Sequence, residues 1–325
     1  MSKSKSITIK AGAALLFGLA ATLPLPARAA DPADLVEALH VLFGQNHARA
    51  AHAKGVVLSG SFTPAASAAT LTKAALFRGG AVPVTARFSN STGLPKIPDT
   101  DGYADPRGFA VKFGTDELDI VTHSFNGFPA ANPDEFGEFL RAIAASTKET
   151  THPNSLEKFL ASHPAAKTFA TTQKPPPVSY ATTPYFGVNA FAVTNDKGEK
   201  AHVRYRLVPA AGEHYLDAAA AKSKGPDYLS SEIRERLGAG PVQFDWFAQV
   251  AGAGDKTDDP TAVWPDNRQL VKLGTITINR IADDQGSVDK SLLFLPGNVP
   301  DGIEAADPMI DVRNAAYAVS FGERQ

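Results

Sequence analysis

The 325-residue chain has no cysteine at all. That excludes a disulfide scaffold and any thiol nucleophile. Charge of one sign is also missing, since 32 Lys+Arg stand against 34 Asp+Glu for a net −2. A chain without basic surplus has no general affinity for a phosphate backbone or an anionic lipid surface, so nucleic acid is not expected as a partner. Long apolar runs are lacking too. The longest, residues 11–23, falls short of the roughly 20 residues needed to cross a bilayer. A Walker A loop, GxGxxG, HExxH and a GxSxG elbow are likewise not found, which removes NTP hydrolysis, zincin chemistry and the common serine-hydrolase layout. What remains is 43% hydrophobic and 20% charged, with 26 glycines and 24 prolines, the composition of a globular chain with one large core.

The N-terminus carries Lys3, Lys5 and Lys10 ahead of that short apolar run, then Pro24, Pro26 and the small-x-small exit Ala27, Arg28, Ala29. This is the pattern of a secretory signal peptide cut after Ala29, leaving residues 30–325 as a single domain. In a host with two membranes the expected destination is the periplasm. Lack of cysteine fits an oxidising compartment.

Asp31 and Pro32 open a first helix to about Gly44, with Leu35, Leu39, Leu42 and Phe43 at helical spacing. The chain then turns to short β-favouring runs broken by Gly, Pro and Asp, at 56–62, 84–89, 109–113 and 118–122. Helices are expected from Pro133 and over 156–160, followed by a break at Pro175, Pro176 and Pro177. Further strands are read at 185–193, 201–208, 242–250 and 270–281, with a hairpin turn at Asn195, Asp196, Lys197, Gly198. Helices are expected over 228–237 and from about Pro308 to Phe321. Eight antiparallel strands with inserted and C-terminal helices predict an α+β protein built on a closed β-barrel.

Two segments bear on chemistry. Arg49 precedes His52 by three residues just ahead of the first strand. A lone histidine at a strand edge is more often structural than catalytic. On the last helix, Met309, Arg313 and Tyr317 are spaced by four and share a face, which brings the guanidinium of Arg313 to the Tyr317 oxygen. A cation beside a phenol favours the phenolate. Spacing alone suits a core tyrosine with a satisfied hydroxyl at least as well.

The stretch Arg49, Ala50, Ala51, His52, Ala53, Lys54, Gly55 resembles the histidine motif of haem catalases, and further catalase-like blocks follow it in order. They are Arg87, Phe88, Ser89, then DPRGFAVKF from Asp105 to Phe113, then Asp119, Ile120, Val121. Tyr185, Phe186, Gly187, Val188 and Phe191 come next, then Asp259, Pro260, Thr261 with Val263, Trp264, Pro265, and finally Gly302, Ile303, Glu304, Met309, Arg313, Tyr317. The likeness covers nearly all of the chain beyond the leader, and its length is similar to that of the compact catalase-related peroxidases. The resemblance implies a catalase-like haem barrel with haem b, unattached because no CxxCH exists. It also implies Tyr317 as the iron ligand with Arg313 as its charge partner, His52 as acid/base and Ser89 as its orienting partner. Arg49, Arg87 and Arg324 then match the arginines that hold propionates, and Phe136 and Met309 match contacts to the two porphyrin faces.

This sequence departs from the family pattern twice. An asparagine that catalases place four residues after the Asp of the Asp-Leu-Val block is here His123, a position counted with the catalytic set. Arg324 stands beside Glu323 at the extreme C-terminus, where fraying is expected to weaken one anchor. The expected activity is reduction of hydrogen peroxide or organic hydroperoxides by a small organic donor, with weak catalase turnover besides. A true catalase, a lyase or isomerase of lipid hydroperoxides, and a non-catalytic haem carrier are the competing classes. The carrier would need the Tyr317 and Arg313 face but not the pairing of His52 with Ser89. Oligomeric state and the donor's identity are not legible.

Overall fold

The computed structural model describes residues 31–114, 118–172 and 174–325; the expected leader lies outside the described residues. Helix α1 (Pro32–Phe43) begins where the sequence places it. The Asp31 side chain accepts from the Ala33 N–H, Pro32 occupies the first turn, and Gly44, at a φ of 81°, ends the helix in a conformation other residues avoid.

Eight strands close a ring. In order around it run β1 (Gly55–Pro64), β2 (Val82–Ser89), β3 (Gly108–Phe113), β4 (Leu118–His123), β5 (Tyr185–Phe186), β7 (Lys200–Pro209), β8 (Val242–Val250) and β9 (Leu270–Ile281), which returns to β1. All pairs are antiparallel, and the β7–β8 pairing completes the closure. The single strand expected over 185–193 is two. Its first part, β5, is a ring strand, and its second, β6 (Phe191–Thr194), forms the expected hairpin with β7 through the turn at Asn195–Gly198. A short β10 (Ile303–Ala305) extends the sheet beyond β6 and had no signal in the sequence.

Alternation along the strands divides inside from outside. Phe62, Phe88, Phe109, Phe113, Phe244, Trp246, Tyr180 and Tyr185 are fully buried and in ring contact with one another, so the barrel is filled by aromatic side chains. Between Ala86, Phe88 and the corresponding inward residues of β3 and β4 stand Arg87, Ser89, Ala110, Val121 and His123, which point to the outer wall. Against that wall lie α1, α2 (Pro133–Ser146) and α8 (Met309–Glu323). Helix α2 starts on Asn132, whose side chain accepts from the Glu135 N–H, with Pro133 next. It joins α3 (Ser155–Ser162) and α4 (Pro164–Thr171) around a second small core of Phe139, Phe159 and Ala166. Helices α5 (Ala218–Lys222), α6 (Tyr228–Ala239) and α7 (Gln285–Ser291) complete the chain. Among the described residues no helix is long and apolar enough to cross a membrane.

Candidate active site

A cavity of about 230 Å³ lies between the outer face of the barrel and the three helices. Its walls are mostly apolar: Leu35, Val36 and Leu39 from α1, Phe136 from α2, Phe128 from the loop before it, and Met309, Val312 and Ala316 from α8. The polar groups gather at three places, and every site residue expected from the sequence lines this one cavity.

The sheet wall holds His52, Ser89 and His123. Strand register accounts for their meeting, because Ser89 on β2 pairs with Gly108 on β3, which pairs with His123 on β4. Gly108 is in the middle for a steric reason. A Cβ there would stand 2.4 Å from the Ser89 hydroxyl oxygen and 2.8 Å from His52 Nδ1. His52 occupies the left-handed region at a φ of 57°, uncommon for a residue with a side chain. Its backbone is fixed on both sides. The His52 N–H donates to Ser91 O at 3.0 Å, and its carbonyl accepts from Arg87 Nη1 at 2.8 Å. Nδ1 of the ring lies 3.0 Å from the Ser89 hydroxyl. With Nδ1 engaged, Nε2 is left for whatever enters the cavity. Both imidazoles are neutral. Burial, then the Arg87 guanidinium, holds His52 down to about 3, and burial, then Arg313, holds His123 down to about 3.

On the α8 wall the expected contact is present. Arg313 Nη2 donates to the Tyr317 hydroxyl at 2.7 Å. The other end of the guanidinium donates to Asn189 Oδ1, whose amide donates to Asp307 Oδ2 at 2.7 Å, while Asp307 Oδ1 accepts the Met309 N–H at 2.9 Å. Burial pushes the Asp307 carboxyl up from its ordinary range. Tyr317 thus ends a chain of four polar side chains, two of which, Asn189 and Asp307, sequence reasoning did not find. Asn189 is 124 positions from Arg313, and no local pattern ties them together.

Arg49, Arg87 and Arg324 form the third group, and Asp289 of α7 binds two of them. Arg87 Nε donates to Asp289 Oδ1 at 2.6 Å, and Arg49 Nη2 lies 3.2 Å from the same oxygen. Arg87 Nη2 also reaches Ala53 O at 3.0 Å, so one guanidinium holds both the acid and the backbone around His52. Burial, then Arg87, lowers Arg49 to about 9. Although burial opposes it, the pull of Arg87 and Arg49 keeps the Asp289 carboxyl below its usual range. Asp289 was missed because α7 has no apolar period to mark it as part of a wall. The expected fraying at the C-terminus is not observed. Arg324 is buried, its Nη2 donates to Leu292 O at 2.6 Å, and the neighbouring Glu323 pairs with His40 of α1 at 2.7 Å, which ties the end of α8 down.

Among the described residues no group of three His, Cys, Asp or Glu side chains could hold a metal ion. The donors that are present suit a metal carried inside an organic ring. A mostly apolar slot, one phenol braced by a cation, two neutral imidazoles and a cluster of guanidiniums match a flat porphyrin with an axial oxygen ligand and two carboxylates. Among the described residues the buried Nε2 of His123 has no hydrogen-bond partner.

Comparison with known proteins agrees with this chemistry. The chain is 33% identical to a catalase-related peroxidase of Synechococcus elongatus over 94% of its own length and 91% of that protein's. It is 36% identical to a catalase-related peroxidase of Mycolicibacterium paratuberculosis over 89% and 93%. A fungal catalase crystal structure shares the fold with a TM-score of 0.74 at 23% identity, covering 85% of this chain but 59% of the longer catalase. The catalase family model matches residues 43–324. With that match running through all three groups of the cavity, the chain belongs to the catalase family.

Proposed function

We propose that the protein is a haem-dependent peroxidase, reducing hydrogen peroxide or an organic hydroperoxide with electrons from a small organic donor. The observation that carries this reading is the pairing of His52 with Ser89 on one wall and of Tyr317 with Arg313 on the other, around one cavity. The proposed haem is haem b, and without cysteine no thioether can attach it. Tyr317 would ligate the iron as phenolate, with Arg313 offsetting its charge. Arg49, Arg87 and Arg324 would take the propionates, and Phe136 and Met309 would pack against the ring. Bound haem supplies the redox chemistry that no side chain of this protein has.

The residues of the chain move and hold protons. His52, neutral and directed by Ser89, accepts the proton of the incoming hydroperoxide at Nε2 and returns it to the departing oxygen, so that water or an alcohol leaves as the O–O bond breaks. Two single-electron donations and two further protons, which a phenolic donor can release along with its electrons, reduce the remaining oxygen to water. A positioned acid/base of this kind contributes about 10²–10⁴ in rate. Its neutrality matters, because a protonated imidazole cannot accept.

A donor-driven reaction is favoured over oxygen evolution by the likeness to two catalase-related peroxidases, over 94% and 89% of this chain. The leader of residues 1–29 is proposed to direct the protein to the periplasm. Oxidation of a phenolic or azine dye by peroxide, run beside an oxygen electrode, tests the reading. Dye oxidation should rise with dye concentration while oxygen evolution stays slow. Rapid oxygen evolution with no dye oxidised would make the protein a catalase instead.

A further inference from the structure

We propose that a second, polar cleft, beside the arginine cluster, is where the electron donor docks, and that it takes a single-ring phenol carrying a carboxylate. This rests on the peroxidase reading above and names the place and chemical class of the second substrate.

The cleft has a volume of about 500 Å³, within the roughly 300–1,000 Å³ usual for a small-molecule site. Its lining is polar, with His47, Gln285, Asp289, Lys290 and Glu323 among the residues. Arg49 and Arg324 line both this cleft and the main cavity. A molecule in the cleft therefore shares two guanidiniums with whatever the main cavity holds, on the side where those arginines would take the propionates.

Charge selects the class. Both acids of the lining are already occupied, Asp289 by Arg87 and Arg49, and Glu323 by His40. Lys290 is exposed and, among the described residues, makes no ion pair. Its carbonyl accepts from Arg324 Nε at 3.4 Å and from Gln325 Nε2 at 2.9 Å, which ties the backbone beneath this ammonium to the arginine cluster. A carboxylate is drawn to that rim, whereas an ammonium would meet Lys290 with no free acid to answer it. The phenol end supplies the chemistry. Each donor gives one electron and its phenolic proton and leaves as a phenoxyl radical, so two molecules supply the two electrons and two protons that complete the reduction.

Gly286 offers a way to fill the cleft. It lies on α7 and lines the cleft, and a Cβ there would meet nothing nearer than Asp284 Oδ1 at 4.0 Å. The experiment measures binding of para-hydroxycinnamate to the ferric holoprotein by calorimetry without peroxide. Tyramine, a phenol with an ammonium in place of the carboxylate, is the counter-probe. The parent should bind hydroxycinnamate more tightly than tyramine. Gly286→Phe should weaken hydroxycinnamate by about tenfold or more, with haem content and the rate of the peroxide step unchanged. Lys290→Glu should weaken it by about threefold to fivefold and shift the preference toward tyramine. This second variant alters only an exposed side chain and decides the matter if Gly286→Phe does not fold. The proposal is overturned if the parent binds hydroxycinnamate no better than tyramine, or if either folded variant binds it as tightly as the parent. A parent that shows the expected binding but oxidises no donor with peroxide would overturn the peroxidase reading instead.

Discussion

The α8 wall and the sheet wall of the cavity handle their polar groups in opposite ways. On α8 the chain from Tyr317 through Arg313 and Asn189 to Asp307 hands each hydrogen bond to the next residue, ending on the backbone of Met309. On the sheet, Ser89 braces His52 and Phe125 braces His123, but among the described residues Nε2 of His123 has no hydrogen-bond partner. A closed chain fixes a charge in place and resists change, which is what holding a cofactor requires. An open pair keeps buried capacity for something that comes and goes. On the open side burial keeps both histidines neutral down to about pH 3.

The sharpest way to break this contrast is to remove the end of the closed chain. Tyr317→Phe should lose most bound haem, or bind it with a changed spectrum, as measured by the haem-to-protein absorbance ratio after purification. A variant with full occupancy and an unaltered spectrum would show that α8 does not supply the ligand. Next in size, His52→Ala should slow the reaction with peroxide by about 10²–10⁴ in stopped-flow traces, with haem content unchanged. A larger loss at His123 would reverse the roles on the sheet wall.

Acid should separate the walls by a smaller amount. Both sheet histidines stay unprotonated in the folded protein to about pH 3 but take up protons near 6.5 when the chain unfolds. Their folded values lie below the unfolded ones and the neutral form is the native one, so stability is full above about 6.5 and is lost as pH falls toward 3. The slope is at most about 1.4 kcal/mol per pH unit for each histidine. His123→Asn removes one of the two groups, so its urea midpoint should fall less between pH 7 and pH 5 than the parent's. Equal falls would mean that His123 is already solvated. Smallest is Ser89→Ala, which removes one hydrogen bond worth about 0.5–1.5 kcal/mol and should slow the peroxide step by tenfold or less.

Much of this was legible in the sequence, for local reasons. The ring strands announced themselves by β-favouring runs bounded by turn residues, and the contact of Arg313 with Tyr317 is a matter of helical spacing alone. What stayed hidden depends on long-range neighbours. Asp289 meets Arg87 across 202 positions, and Asn189 meets Asp307 across 118. Gly108 lies within a quoted motif, yet its reason, room for Ser89 and His52, exists only once β2, β3 and the segment before β1 are side by side. Residues 185–193 were read as one strand because both ends are β-favouring, while the middle turns so that β5 and β6 meet different parts of β7. The expectation of a loose Arg324 followed from its place at the chain end and missed the carbonyl of Leu292, which holds it.

The central claim, that this cavity holds a haem which reacts with peroxide and is returned by a donor, is tested most directly by one absorption experiment on the purified holoprotein. The account predicts the spectrum of a tyrosinate-ligated ferric haem, a change within the mixing time of a stopped-flow instrument on adding peroxide, and return to the starting spectrum when a phenolic donor follows. A preparation reconstituted with haem that shows no spectral change with peroxide would contradict it.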